Sequence, residues 1–130
     1  VLLLFLRAWT IGMLLAAIVL MVRNAHAEAY SADDTEAAIA DVHAAYGVPI
    51  GRLHEIVSCE TGRTMDPNVV GDHGTSFGAV QLHRGGALSH FFSLGYTDPF
   101  NPWQAIEYLA RALIGEFLGL GIGGWSWTCS

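Results

Sequence analysis

Residues 50–81 read IGRLHEIVSCETGRTMDPNVVGDHGTSFGAVQ, and the two halves of this stretch obey different rules. From Ile50 to Thr61 the apolar residues Leu53, Ile56 and Val57 recur at helical spacing. With Leu53 as zero, Ile56 falls at about 300° and Val57 at about 40° around a helix axis. Pro49 marks the start and Gly62 the stop. Beyond it stand Gly62, Gly71, Gly74 and Gly78, together with Asp66-Pro67-Asn68 and Asp72, which is turn and loop chemistry. A few extended residues around Phe77–Leu82 suit a short hairpin. The stretch therefore reads as a helix feeding an irregular or hairpin arm.

One residue breaks the pattern of that helix. Glu60 falls at about 340°, inside the apolar arc, in the last turn. A carboxylate there is poorly solvated and lies at the negative end of the helix dipole. Both effects raise its pKa and favour the protonated form, which a general acid requires. A frayed helix end would instead let Glu60 reach water as an ordinary surface acid, and periodicity alone does not decide between the two. Glu55, at about 200°, is the contrasting case of a solvated glutamate.

The flanking sequence is also helical. Ser31–Tyr46 carries Asp33, Asp34 and Glu36 at its N-terminal end, where acids complement the dipole. Ala38, Ile39, Val42 and Tyr46 give it an apolar face, and Gly47 is its expected C-cap. Ala87–Leu94 reads as a short helix. Asn101-Pro102 is an N-cap followed by proline at the first helical position. The helix it opens is expected to reach about Leu118, with Ile106, Leu109, Ala110, Leu113 and Phe117 as a core-facing stripe. No internal repeat, second module or run of alternating strands interrupts this order. The fold class is mainly α.

Composition bounds the function. Of the 130 residues 52% are hydrophobic, but residues 1–27 hold 21 apolar residues, while residues 28–130 hold 47 of 103. Between Arg7 and Arg23 run 15 uncharged residues, AWTIGMLLAAIVLMV, followed by Ala25-His26-Ala27. An apolar run of this length ending in a small-x-small triplet reads as a secretory signal peptide over residues 1–27, cleaved after Ala27. The alternative is an uncleaved anchor, since residues 1–22 are long enough to span a bilayer if Arg7 snorkels. Residues 28–130 then form one exported domain, in the periplasm, cell envelope or extracellular space. Export makes a Cys59–Cys129 disulfide the default for the only two cysteines. By loop entropy such a closure contributes about 4 kcal/mol at most. The exported part has a formal charge of −8 and no lysine, which argues against nucleic acid as a partner.

The string Cys59-Glu60-Thr61-Gly62, then Asp66-Pro67-Asn68, then Gly74-Thr75-Ser76-Phe77-Gly78-Ala79-Val80-Gln81 resembles the lysozyme-like fold. The likeness is to the group of soluble lytic transglycosylases and goose-type lysozymes. That group carries Glu-Ser/Thr-Gly at a helix end, then Gly-x-x-Gln. Later comes an Asp-Pro/Asn segment opening a helix with a Tyr-Leu pair. Asp98-Pro99, Asn101 and Tyr108-Leu109 match this last part. The resemblance runs from about Asp33 to Leu118.

It implies a lysozyme-like helical domain that cleaves peptidoglycan glycan strands as a monomer, without metal or cofactor. Glu60 would protonate the glycosidic oxygen. Ser76, Phe77, Gly78, Gln81 and Tyr108 would line the sugar cleft. In chicken-type lysozymes a second carboxylate directly precedes the aromatic-Gly pair, and here that position is Ser76. Glycosidases ordinarily pair two carboxylates. Transglycosylases replace the second with the substrate's own N-acetyl and 6-hydroxyl groups. Asp66 or Asp72 is the alternative, as a water-activating base in a hydrolytic enzyme. The tail lacks the Ala-x-Tyr-Asn-x-Gly segment of the group, so Trp125 or Trp127 either supplies its stacking aromatic or closes the core.

Other chemistries find less support. His73, His83 and His90 with Asp72 invite zinc, but their spacings fit no helical pair of ligands. The three read as surface or cleft histidines, with His83 as a candidate substrate contact. Ser58 and Ser76 lack a nucleophile elbow, and Gly85-Gly86 is a turn rather than a phosphate loop. Two further function classes are a glycan binder that has lost turnover and an envelope assembly protein held by an uncleaved leader.

Overall fold

The computed structural model describes residues 29–118 and Trp127. Over these residues the chain is helix-rich, with four helices and one small antiparallel sheet: α1 (Ala32–Tyr46), α2 (Ile50–Glu60), β1 (Val70–Gly71), β2 (Ser76–Phe77), β3 (Leu82–His83), α3 (Ala87–Ser93) and α4 (Pro102–Leu113). The leader, Trp125 and Cys129 lie outside the described residues.

Local chemistry places most helix ends. Ser31 caps α1 by accepting from the Asp34 N–H, and the Asp34 carboxylate accepts in return from the Ser31 backbone N–H. Gly47 closes α1 in the left-handed conformation at φ 71°. Asn101 caps α4, its side-chain oxygen accepting from the N–H groups of Trp103 and Gln104, with Pro102 in the first turn. Such caps contribute about 1 kcal/mol each.

The C-terminal stripe needs one correction. α4 ends at Leu113 instead of reaching Leu118, because Gly115 adopts φ 85° and turns the chain. Phe117 still reaches the interior, carried there by the turn rather than by a continuing helix.

α1 packs along α4, with a smaller contact on α2. Ala38, Ile39 and Val42 meet Leu53, Ile56 and Val57 of α2 and Ile106, Leu109 and Ala110 of α4, all buried. Full burial of a leucine or isoleucine contributes about 1.5–3 kcal/mol, so this three-helix seam is the main source of stability. Polar ties sit at its rim. Trp103 Nε1 donates to Asp41 at 2.8 Å, and the Tyr46 hydroxyl donates to Glu107. A second, aromatic cluster joins α3 to the end of α4 through Phe91, Tyr96, Tyr108 and Phe117. Among the described residues, no helix is long and apolar enough to cross a membrane.

The arm after α2 is a three-stranded sheet of order β1-β2-β3, with Val70 opposite Phe77, Gly71 opposite Ser76, Ser76 opposite His83 and Phe77 opposite Leu82. The expected hairpin is its β2–β3 half. Gly78 anchors the arm to the segment before α4: a Cβ there would lie 2.0 Å from the Pro99 carbonyl oxygen. That segment is itself pinned, since Gln104 Oε1 accepts from the N–H groups of Thr97 and Asp98.

Candidate active site at the end of the second helix

Glu60 is the last residue of α2, on the side of the helix that carries Leu53, Ile56 and Val57. Its carboxyl is partly buried, and it forms no hydrogen bond or ion pair with another described residue. Its pKa is raised, first by desolvation and then by the negative charge of Asp72. The first cause is the one expected from the helical angle. The second comes from the arm, twelve residues further along the chain.

The Glu-Thr-Gly string holds this helix end in one shape. The buried Thr61 hydroxyl donates to the Val57 carbonyl at 2.8 Å and accepts from the Met65 N–H at 3.0 Å. It thus satisfies a helix-end carbonyl and ties down the loop that leaves the helix. Without this tie the last turn would be free to fray and hydrate Glu60.

Of the two candidate second carboxylates, only Asp72 acts on Glu60. Asp66 closes a local turn, accepting from the backbone and side-chain amides of Asn68 at 2.9 and 3.0 Å. Asp72 opens the β1–β2 turn, where Asp72, His73 and Gly74 have φ values of 49°, 56° and 88°. Two successive non-glycine residues in the left-handed region are uncommon, though Asp and His tolerate it better than most. Ser76 Oγ donates to Asp72 Oδ2 at 2.6 Å and lies 3.1 Å from His83 Nδ1.

The remaining expected site residues divide. Phe77 is half-buried beside the turn, edge-to-face with Phe100 at 6.1 Å, and the Arg84 guanidinium lies 5.6 Å from its ring centre. Sequence reasoning passed over Phe100 and Arg84, which no local pattern links to Phe77. Ser76 is 1% exposed, so its hydroxyl works inside the arm rather than lining an open cleft. Gln81, at φ 51°, directs its amide to the carbonyls of Val69 and Gly78 and braces the arm. Gly78 is buried at the Pro99 contact.

Tyr108 departs furthest from expectation. It is 0% exposed, and its hydroxyl lies 2.9 Å from His90 Nδ1 in the aromatic cluster. Burial pushes its pKa up. It therefore supports α4 from within and does not face a cleft. Trp127 likewise closes the core, its indole N–H donating to the Val80 carbonyl at 2.9 Å.

Among the described residues, no group of histidine, cysteine and acidic side chains could hold a metal. An open pocket of about 520 Å³ is lined by His54, Glu55, Ser58, Cys59, Gly62 and Arg63, on the side of α2 away from Glu60. Cys59 is not a free thiol. No family model, curated protein or solved structure matches this chain.

Proposed function

We propose that the domain is an exported, monomeric lysozyme-like enzyme. It cleaves the β-1,4 bond between N-acetylmuramic acid and N-acetylglucosamine in bacterial peptidoglycan, with Glu60 as general acid. One observation carries the reading: a carboxyl at the end of a buried stripe, without a described partner, whose pKa is raised by burial and by the nearby Asp72 charge. A raised carboxyl pKa favours the protonated form, the form that can donate to a leaving oxygen. The Glu-Thr-Gly helix end and the antiparallel arm beside it add support, as does the order of the later motifs.

In the transglycosylase reaction Glu60 gives its proton to the glycosidic oxygen as the bond to muramoyl C1 breaks. The substrate's N-acetyl group stabilises the positive charge at C1. The new Glu60 carboxylate then takes the proton of the muramoyl 6-hydroxyl as that oxygen closes on C1, leaving a 1,6-anhydro end. Attack from within one sugar has an effective molarity that bulk water lacks. One carboxyl thus suffices.

Hydrolysis is the second reading, and the Asp72 charge beside Glu60 favours it. In that case Asp72 orients and deprotonates a water that attacks C1. Mass spectrometry of products from purified peptidoglycan separates the two. Anhydro ends are lighter than reducing ends by one water. Glu60→Gln removes the transferable proton while keeping shape, so turnover should vanish and glycan binding should persist. Full activity of Glu60→Gln would overturn the assignment.

A further inference from the structure

The β1–β2 turn carries a chain of three polar groups whose hydrogen placement the geometry determines. Ser76 has one hydroxyl proton, and it goes to Asp72 Oδ2 at 2.6 Å. The contact of 3.1 Å between Ser76 Oγ and His83 Nδ1 therefore needs its proton from the histidine. The neighbouring Thr75 gives the same answer. Its hydroxyl donates to the Asp72 carbonyl at 2.7 Å and lies 3.4 Å from the same Nδ1. Both hydroxyls present lone pairs to His83, so Nδ1 carries the hydrogen.

We propose that His83 is a positioning residue for the site: its Nδ1–H, relayed through the buried Ser76 hydroxyl, fixes the orientation of the Asp72 carboxylate in the β1–β2 turn. The inference rests on the reading of Glu60 as the acid. Asp72 is exposed and sits at the tip of a turn, where a carboxylate would ordinarily rotate freely. Here one oxygen is held by Ser76, which is almost fully buried and cannot swing away. Accepting from His83 polarises the Ser76 hydroxyl and makes it a stronger donor to Asp72. The Thr75 bond to the Asp72 carbonyl holds the backbone beneath. Oδ1 of Asp72 accepts from no described residue, so it is the oxygen open to a water or a sugar hydroxyl. The cross-strand register explains the chain: Ser76 stands opposite His83, so the two side chains share one face of the sheet.

The test uses the full exported chain on purified peptidoglycan, with kcat and KM measured separately. His83→Ala should lower kcat by about tenfold with KM little changed, the size expected for one lost orienting hydrogen bond. His83→Asn offers an amide N–H near the position of Nδ1 and should restore most of that loss. Ser76→Ala should cost as much as His83→Ala, and the double variant should cost no more than either alone. Full activity of His83→Ala, no recovery in His83→Asn, or losses that multiply in the double variant would each overturn the relay. Glu60→Gln is measured alongside. If it is inactive while His83→Ala is normal, only the relay fails; if Glu60→Gln is active, the underlying reading fails.

Discussion

Gly78→Ala tests how the arm is fixed to the helical body. Two costs apply, and the structure separates them. The first is backbone conformation: at φ 82° an L-residue is strained by about 1–2 kcal/mol. The second is collision. The new Cβ would lie 2.0 Å from the Pro99 oxygen and 3.0 Å from its carbonyl carbon, both backbone atoms that cannot rotate aside. Relief requires the arm and the Asp98–Asn101 segment to part by more than an ångström, an overpacking cost of about 1–3 kcal/mol. The total is about 2–5 kcal/mol, less about 0.4–1 kcal/mol for the stiffer unfolded chain. Gly74→Ala is the control, because Gly74 has φ 88° but nothing within 4 Å of its added Cβ. It should lose only the backbone share. Urea unfolding of both variants isolates the Pro99 contact as the difference, which should be at least about 1 kcal/mol. Activity should fall further in Gly78→Ala than its remaining folded fraction explains, because the arm carrying Asp72 is displaced. Equal midpoints for the two variants would refute the rivet.

The raised pKa of Glu60 gives a signed pH dependence. Its protonated form favours the fold and, in the proposed role as acid, is also the active form, so each contribution is present at low pH and is lost as pH rises through the folded pKa. Asp72→Asn removes one of the two causes, so the alkaline limb of kcat should move to lower pH; an unmoved limb would mean that Asp72 does not act on Glu60. Peptide mapping without reductant should recover Cys59 linked to Cys129, and Cys59→Ala should cost about 2–4 kcal/mol; ready alkylation of both thiols in the native protein would defeat the pairing. The intact mass of the secreted form should begin at Glu28, and a membrane-bound species retaining residues 1–27 would favour the anchor.

What could be read in advance was whatever neighbouring residues decide among themselves. Asn101-Pro102 announced the start of α4, and Gly47 the end of α1, because capping needs only residues a few places apart. The odd placement of Glu60 was equally plain, being a matter of helical angle. Its second perturbation was not, since nothing local says that Asp72 folds back onto the helix end. The strand Val70–Gly71 escaped for the same reason: two residues carry no period, and the pairing with β2 makes the strand. Gly115 was outvoted by the apolar spacing around it, and Phe117 satisfied that spacing by another route. Tyr108 was assigned outward by resemblance alone. On the helix it shares an arc with buried Ala105 and Leu109, and a wheel drawn for α4 would have turned it inward.

The bond from Trp127 to the Val80 carbonyl has a consequence in time. Its two ends are 47 residues apart in sequence. At roughly 5–20 residues per second, synthesis of the intervening chain takes roughly 2–9 s. Throughout that interval α1 and α2 can already pack, while the arm waits for its last contact. A ribosome that stalls or a protease that trims before residue 127 leaves a body that is largely built and an arm that is not. The arm gains that contact only once residue 127 has been made.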